Sequence, residues 1–126
     1  MNISSEISNK KNVLSPLIEA KAIAKNLRIT PRKVRLIIDL IRGKNIKKAF
    51  SILNNVNKLG TNDVFKVVKS AFYNAVNKKM NSDKLYIHSI FASDGIKMKR
   101  FIPRAKGSSS SKIKRTSNVT VIIKEK

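Results

Sequence analysis

The stretch TPRKVRLIIDLIRG, Thr30 to Gly43, decides the fold. Thr30 offers a hydroxyl N-cap, and Pro31 takes the first helical position, where its missing N–H costs nothing. Val34, Ile37, Ile38 and Ile41 then recur at i, i+3, i+4 and i+7, and Gly43 supplies the stop. The spacing predicts a helix over about Pro31 to Arg42, with Arg32 and Arg35 projecting away from its apolar stripe.

Two more helical patterns follow downstream. Ile46, Ala49, Phe50 and Leu53 share one face of a helix over about Ile46 to Asn54. Val64, Val67, Val68, Ala71, Phe72 and Ala75 make a continuous core stripe on a longer one, Asn62 to about Lys79. Upstream, EAKAIAKNLRI (Glu19 to Ile29) sets Ala20, Ala22 and Ala24 out of phase with Lys21, Ile23 and Lys25 and reads as a strand. After Asp83 the period is two: Leu85, Ile87, Ser89 and Phe91 point one way, and Tyr86, His88, Ile90 and Ala92 the other. Near the end Val119, Val121 and Ile123 alternate with Asn118, Thr120 and Ile122. Strands that follow a run of helices favour an antiparallel sheet, so the expected class is α+β. Residues 1–18, interrupted by Pro16, read as an irregular N-terminal extension before a single domain over 19–126.

Composition removes most functions. The 126 residues fit one domain with a modest core, and the absence of Cys excludes disulfide scaffolds, Cys-ligated zinc and Cys nucleophiles. Against 7 acidic residues stand 28 basic ones, a net charge of +21, and such self-repulsion calls for a polyanionic partner. The 41% hydrophobic content argues against a disordered basic tail. Apolar runs such as Leu36-Ile37-Ile38 fall far short of the ~20 residues that span a bilayer, and the first residues have no signal-peptide core. The dispersed carboxylates form no pair for acid–base work, the lone His88 is expected as a packed residue rather than a ligand, and the glycines form no phosphate-cradling motif. No enzyme, cofactor or metal is expected.

Between the last two strand patterns lies IKMKRFIPRAKGSSSSKIKR, Ile96 to Arg115, with eight basic residues and no acidic one. Gly107 and the serines after it have a flexible turn composition. A turn near Gly107 makes the flanks two arms of a long hairpin over about 96–116, with Gly95 a bulge or bend in a longer arm. Ten residues per arm would reach ~33 Å. A turn at Asp94-Gly95 instead would leave Pro103 inside the returning strand, where it removes a ladder hydrogen bond. Like charges face one another across the arms, so the hairpin is expected to be mobile until an anion surrounds it.

The arginines are clustered. Arg28, Arg32, Arg35 and Arg42 fall around the first helix, Arg100, Arg104 and Arg115 on the hairpin, and none lies between Gly43 and Lys99. Arg makes planar bidentate contacts to phosphate where Lys is a point charge, so the clusters mark the contact surfaces. Arg32, Lys33 and Arg35 also open a helix, where cations are disfavoured unless an anion is bound.

TPRKVRLIIDLIRGKNIKKAFSIL (Thr30 to Leu53) followed by MKRFIPRAKGSSSSKIKRTSNVTVII (Met98 to Ile123) resembles the bacterial large-subunit ribosomal protein L22 family (uL22), over about Glu19 to Lys124. The resemblance implies three helices packed beside a three-stranded antiparallel sheet, with a long protruding β-hairpin. It implies a structural constituent of the cytoplasmic 50S subunit, a monomer within the ribosome, that binds 23S rRNA, supports subunit assembly and lines the peptide exit tunnel. Neighbouring large-subunit proteins and, transiently, the nascent peptide would be further partners, and no membrane is implied. Carried over by motif, the rRNA-binding residues are Arg28, Arg32, Lys33, Arg35, Arg42 and Lys44 on the body. On the hairpin they are Lys97, Lys99, Arg100, Arg104, Lys106, Lys112, Lys114 and Arg115, and the tunnel-side tip is Pro103, Arg104, Ala105, Lys106, Gly107 and Ser108.

The rival class is a nucleoid-type architectural DNA-binding protein, whose basic β-arms carry a Pro wedge into the minor groove. Such a protein needs a large apolar dimer interface, and here the helical stripes are used by one core. A cationic membrane-surface protein would need an amphipathic helix with aromatic anchors, which the sequence lacks.

Overall fold

The computed structural model describes residues 18–126, so the extension assigned to residues 1–18 lies, apart from Ile18, outside the described residues. Strand β1 (Glu19–Leu27) precedes helices α1 (Pro31–Ile41), α2 (Ile46–Asn55) and α3 (Thr61–Asn77). Strands β2 (Leu85–Asp94), β3 (Met98–Pro103), β4 (Ser109–Lys114) and β5 (Ser117–Glu125) follow. One antiparallel sheet has the order β1-β5-β2, and β3 with β4 forms a separate two-stranded ribbon. This is the expected α+β arrangement, with the helices on one face of the sheet.

Local chemistry explains the helix starts, with one departure from expectation. The Thr30 hydroxyl makes no capping bond; instead the Thr30 carbonyl accepts from the N–H groups of Lys33 and Val34 at 3.1 and 3.2 Å. Asn45 caps α2 with its side chain, accepting from the Lys47 N–H at 3.3 Å. At the entry to α3, Gly60 has φ 93° in the left-handed region, and a Cβ there would run into Ile29.

The core lies between the helices and the sheet. Val34, Ile37, Ile38 and Ile41 have no exposed surface, and Val64, Val68, Ala71 and Ala75 meet Leu85, Ile87, Val119, Val121 and Ile123 in the same cluster. Phe72, expected in that stripe, is only half-buried. It packs at the rim with Phe50, ring centroids 5.9 Å apart, while Phe50 also meets Phe65 at 5.3 Å.

Strand β2 corrects the period-two reading. Ile87 pairs with Ile123 but Ser89 with Ile122, so His88 is an extra residue in a bulge and the inward face changes phase. Leu85 and Ile87 face the core before the bulge, and Ile90 and Ala92 after it; Phe91 is exposed. His88 is therefore not packed inside but stands exposed, edge-on to Tyr86 with ring centroids 6.0 Å apart.

Helix side chains occupy carbonyls on both outer edges of the three-stranded sheet. On the β1 edge, Asn74 Nδ2 and Lys78 Nζ donate to the carbonyls of Lys21 and Glu19 at 2.9 and 2.6 Å. On the β2 edge, Arg35 and Arg42 donate through their Nη2 atoms to the carbonyls of Ala92 and Ile90 at 3.1 and 3.2 Å. An open edge invites pairing with another strand, and here two acceptors on each edge are already occupied.

The ribbon is shorter than expected. Six residue pairs, from Met98–Lys114 to Pro103–Ser109, hold it together, about 20 Å of paired strand at ~3.3 Å per residue. The turn spans Arg104 to Ser108, so Ser109, Ser110 and Ser111 belong to β4 rather than to a flexible tip. Pro103 closes β3 beside the turn, where a missing N–H is tolerated. At the base Gly95 carries the β2–β5 register one step toward the ribbon: its N–H donates to the Thr116 carbonyl at 2.9 Å.

Candidate nucleic-acid interface

Pairing at the base of the ribbon brings distant cations together. Ser117 pairs with both Leu27 and Asp94, so the end of β1, the end of β2 and the start of β5 meet where the ribbon leaves the body. Arg28, exposed, follows β1 directly at this point. Helix α1 begins at the same end, because Arg35 near its start bonds to Ala92 late in β2 while Arg42 reaches back to Ile90. Arg32, exposed in the first turn of α1, is thus at the ribbon end of the body, whereas Lys33, also exposed, lines a recess with Leu36, Lys58 and Leu59. In this first turn Pro31 has no N–H and the N–H groups of Lys33 and Val34 donate to the Thr30 carbonyl, so the Arg32 N–H is the one backbone donor left for an anion.

Arg35 and Arg42 depart from expectation. Their guanidinium groups are committed to the β2 edge, and Arg42 also pairs with Asp39 at 2.9 Å. Each also keeps exposed surface. Lys44 lies toward the opposite end, where its carbonyl accepts from the Ile87 N–H at 3.0 Å. The body cations therefore divide into Arg28 and Arg32 at the ribbon end, Lys33 turned toward Lys58 and Leu59, and a pair remote from the ribbon, Arg42 and Lys44.

On the ribbon Lys97, Lys99, Arg100, Arg104, Lys106, Lys112, Lys114 and Arg115 are all exposed. Arg100 pairs directly with Lys112, a like-charge contact that destabilises a free ribbon. Residues opposite one another in an antiparallel pair share a face, so Arg100, Lys112 and Lys114 lie on one side with Met98 and Ile102, which are half-buried. The tip is a closed turn. The Arg104 N–H donates to the Ser108 carbonyl at 2.8 Å, the Ser108 hydroxyl to the Ala105 carbonyl at 2.8 Å, and Arg104 Nε to Ser110 Oγ at 3.2 Å. Lys106 and Gly107 both take positive φ, 59° and 73°, which pushes the Lys106 side chain outward at the apex.

Acidic groups barely offset this charge. Among the described residues the ion pairs are Arg42–Asp39, Lys47–Asp83 at 2.7 Å and Lys124–Glu19 at 3.6 Å. The hydrogen bond and charge of Lys47 hold the Asp83 carboxyl below the usual carboxylate range. No group of three His, Cys, Asp or Glu side chains able to hold a metal occurs among the described residues, and none of their helices is long and apolar enough to cross a membrane.

Two features escaped the sequence reading. A recess of about 520 Å³, lined by Gly43, Asn45, Asp83, Lys84, Tyr86 and Lys126, lies at the end of the body away from the ribbon. The sheet face opposite the helices carries exposed Ile23 and Phe91 in one row across Thr120. The outward phase of Lys21, Ile23 and Lys25 signalled that face, but Phe91 joins it only through the His88 bulge.

Comparison with known proteins agrees with this architecture. The family model for ribosomal protein L22p/L17e matches residues 22–124. The large ribosomal subunit protein uL22 of Clostridium novyi is 49% identical over 110 residues, covering 86% of this chain and 99% of that protein. The protein of the same name from Thermus thermophilus is 50% identical, covering 86% and 97%. That from Staphylococcus aureus is 47% identical over 109 residues, covering 86% and 93%. With the match running from the first strand of the body through the ribbon to the last, the chain belongs to the L22p/L17e family of ribosomal proteins.

Proposed function

We propose that the protein is a structural constituent of the large ribosomal subunit in the bacterial cytoplasm, built in as a single copy, and that it works by binding 23S rRNA rather than by catalysis. The observation that supports this is that Arg28 follows β1 at the ribbon root and Arg32 opens α1 at the same end of the body, next to a ribbon whose eight cations are all exposed. The body anchors on folded rRNA through this surface and so supports subunit assembly. The ribbon, with Lys97, Lys99, Arg100, Arg104, Lys106, Lys112, Lys114 and Arg115, runs between rRNA segments. Its tip, Pro103 to Ser108, reaches the wall of the peptide exit tunnel, beside other large-subunit proteins and the passing nascent peptide.

Titration of the protein with large-subunit rRNA fragments and with random duplex DNA of equal length, over a range of salt, tests the reading. With about 6 to 10 phosphates neutralised, affinity falls ~10³-fold or more between 50 and 200 mM salt, and structured rRNA is preferred throughout. Equal affinity for both nucleic acids at every salt overturns it in favour of an architectural DNA-binding protein.

A further inference from the structure

The ribbon has two chemically different faces. Arg100, Lys112 and Lys114 lie on one, while the other carries Phe101 paired with Ser111, flanked by Pro103–Ser109 toward the tip and Lys99–Ile113 toward the root. Phe101 is 77% exposed, the most exposed large apolar side chain among the described residues. Its cross-strand partner is a serine, too small to cover the ring, and a two-stranded ribbon has no second layer to bury it.

Resting on the rRNA-binding reading above, we infer that Phe101 is a stacking platform for an unpaired base of the large-subunit rRNA. A base offers a flat π-face that matches the ring, and Ser109 and Ser111 beside it can hydrogen-bond a base edge. The same nucleotide strand brings the phosphates that the cations on the opposite face and along the ribbon need, so one polyanion satisfies both sides. A protein partner would have to bury an apolar ring within a cluster of cations that has no acidic residue of its own from Ile96 to Arg115. The ribbon is thereby placed by charge on one side and by stacking on the other, and Phe101 sets its rotation about its long axis.

The test uses the full chain and in-vitro-transcribed large-subunit rRNA, with Phe101→Ala, Phe101→Leu and Phe101→Trp variants. Loss of a stacked base costs about five-fold to a hundredfold in affinity. The Ala and Leu variants are expected to lose this much with an unchanged salt slope, whereas Trp retains wild-type binding. Zero-length ultraviolet crosslinking followed by mass spectrometry should place a nucleotide adduct on Phe101. A Leu variant that binds like wild type, or an adduct absent from Phe101 while neighbouring residues crosslink, overturns the stacking role and leaves rRNA binding intact. Failure of the wild-type chain to prefer rRNA over duplex DNA overturns the underlying function instead.

Discussion

Gly95 and Thr116 are in contact at the root of the ribbon: the Gly95 N–H donates to the Thr116 carbonyl at 2.9 Å, and the Thr116 hydroxyl donates to the Ile96 carbonyl at 2.7 Å. A Cβ on residue 95 would collide with Thr116 Oγ1 and crowd the side chain of Asn118, so close approach rather than an unusual φ demands glycine here. Gly95→Ala should displace Thr116 and cost ~1–3 kcal/mol, the usual range for overpacking. Thermal unfolding checks the cost, and the amide shifts of Ile96 and Thr116 report the displaced joint.

Arg32 and Arg35 should separate binding from stability. Arg32 is exposed in the first turn, so Arg32→Ala should weaken rRNA binding and change stability by less than ~0.5 kcal/mol. Arg35→Ala removes a bond to the Ala92 carbonyl and should also cost ~1 kcal/mol of folding free energy. Paired denaturant melts and rRNA titrations distinguish the two.

Burial ranks the apolar positions. Ile38 has no exposed surface, and Ile38→Ala should destabilise the body by ~2–5 kcal/mol in chemical denaturation. Phe101→Ala, at an exposed position, should leave the same melt within ~0.5 kcal/mol of wild type.

The ribbon should be the first segment of the free protein to open. It is held by six pairs and carries the Arg100–Lys112 repulsion, so limited trypsin digestion should cut between Lys99 and Arg115 before the helices. Saturating rRNA should protect these bonds. Early cleavage in α3 would contradict this ranking.

Asp83 should titrate below an ordinary carboxylate while Lys47 is present, and Lys47→Met should return it toward the normal range, as followed by carboxyl NMR. The folded-state value is lowered, so the small stabilisation is present above the unfolded-state value and lost as pH falls through the folded one. Both groups are largely exposed, so added salt should shrink the effect.

The parts of the fold legible in the sequence are those set by local periodicity. The Val34–Ile41 stripe predicts α1 because helical spacing alone puts those side chains on one side, and the alternation at Val119 to Ile123 predicts β5 for the same reason. The features that were missed depend on a partner distant in sequence. The His88 bulge exists only against β5, and the commitment of Arg35 and Arg42 follows only once β2 is known to be an edge. The serines after Gly107 read as a turn because a run of small polar residues carries no alternation, yet their partners Phe101, Ile102 and Pro103 make them a strand. For the candidate site, residue types pointed to the cations, but the meeting of Arg28 with the ribbon root rests on the Leu27–Ser117 pairing.

The order β1-β5-β2 has a consequence for biosynthesis. The middle strand is the last described element to be made, and it separates two strands that do not touch each other in the finished sheet. Until Ser117 to Glu125 have emerged, β1 and β2 have no common partner and the helices have only a divided surface to rest on. The body therefore cannot mature stepwise during translation. Its closure waits for non-local pairings that form slowly, and in that interval an unshielded cationic chain is free to meet rRNA before it is folded.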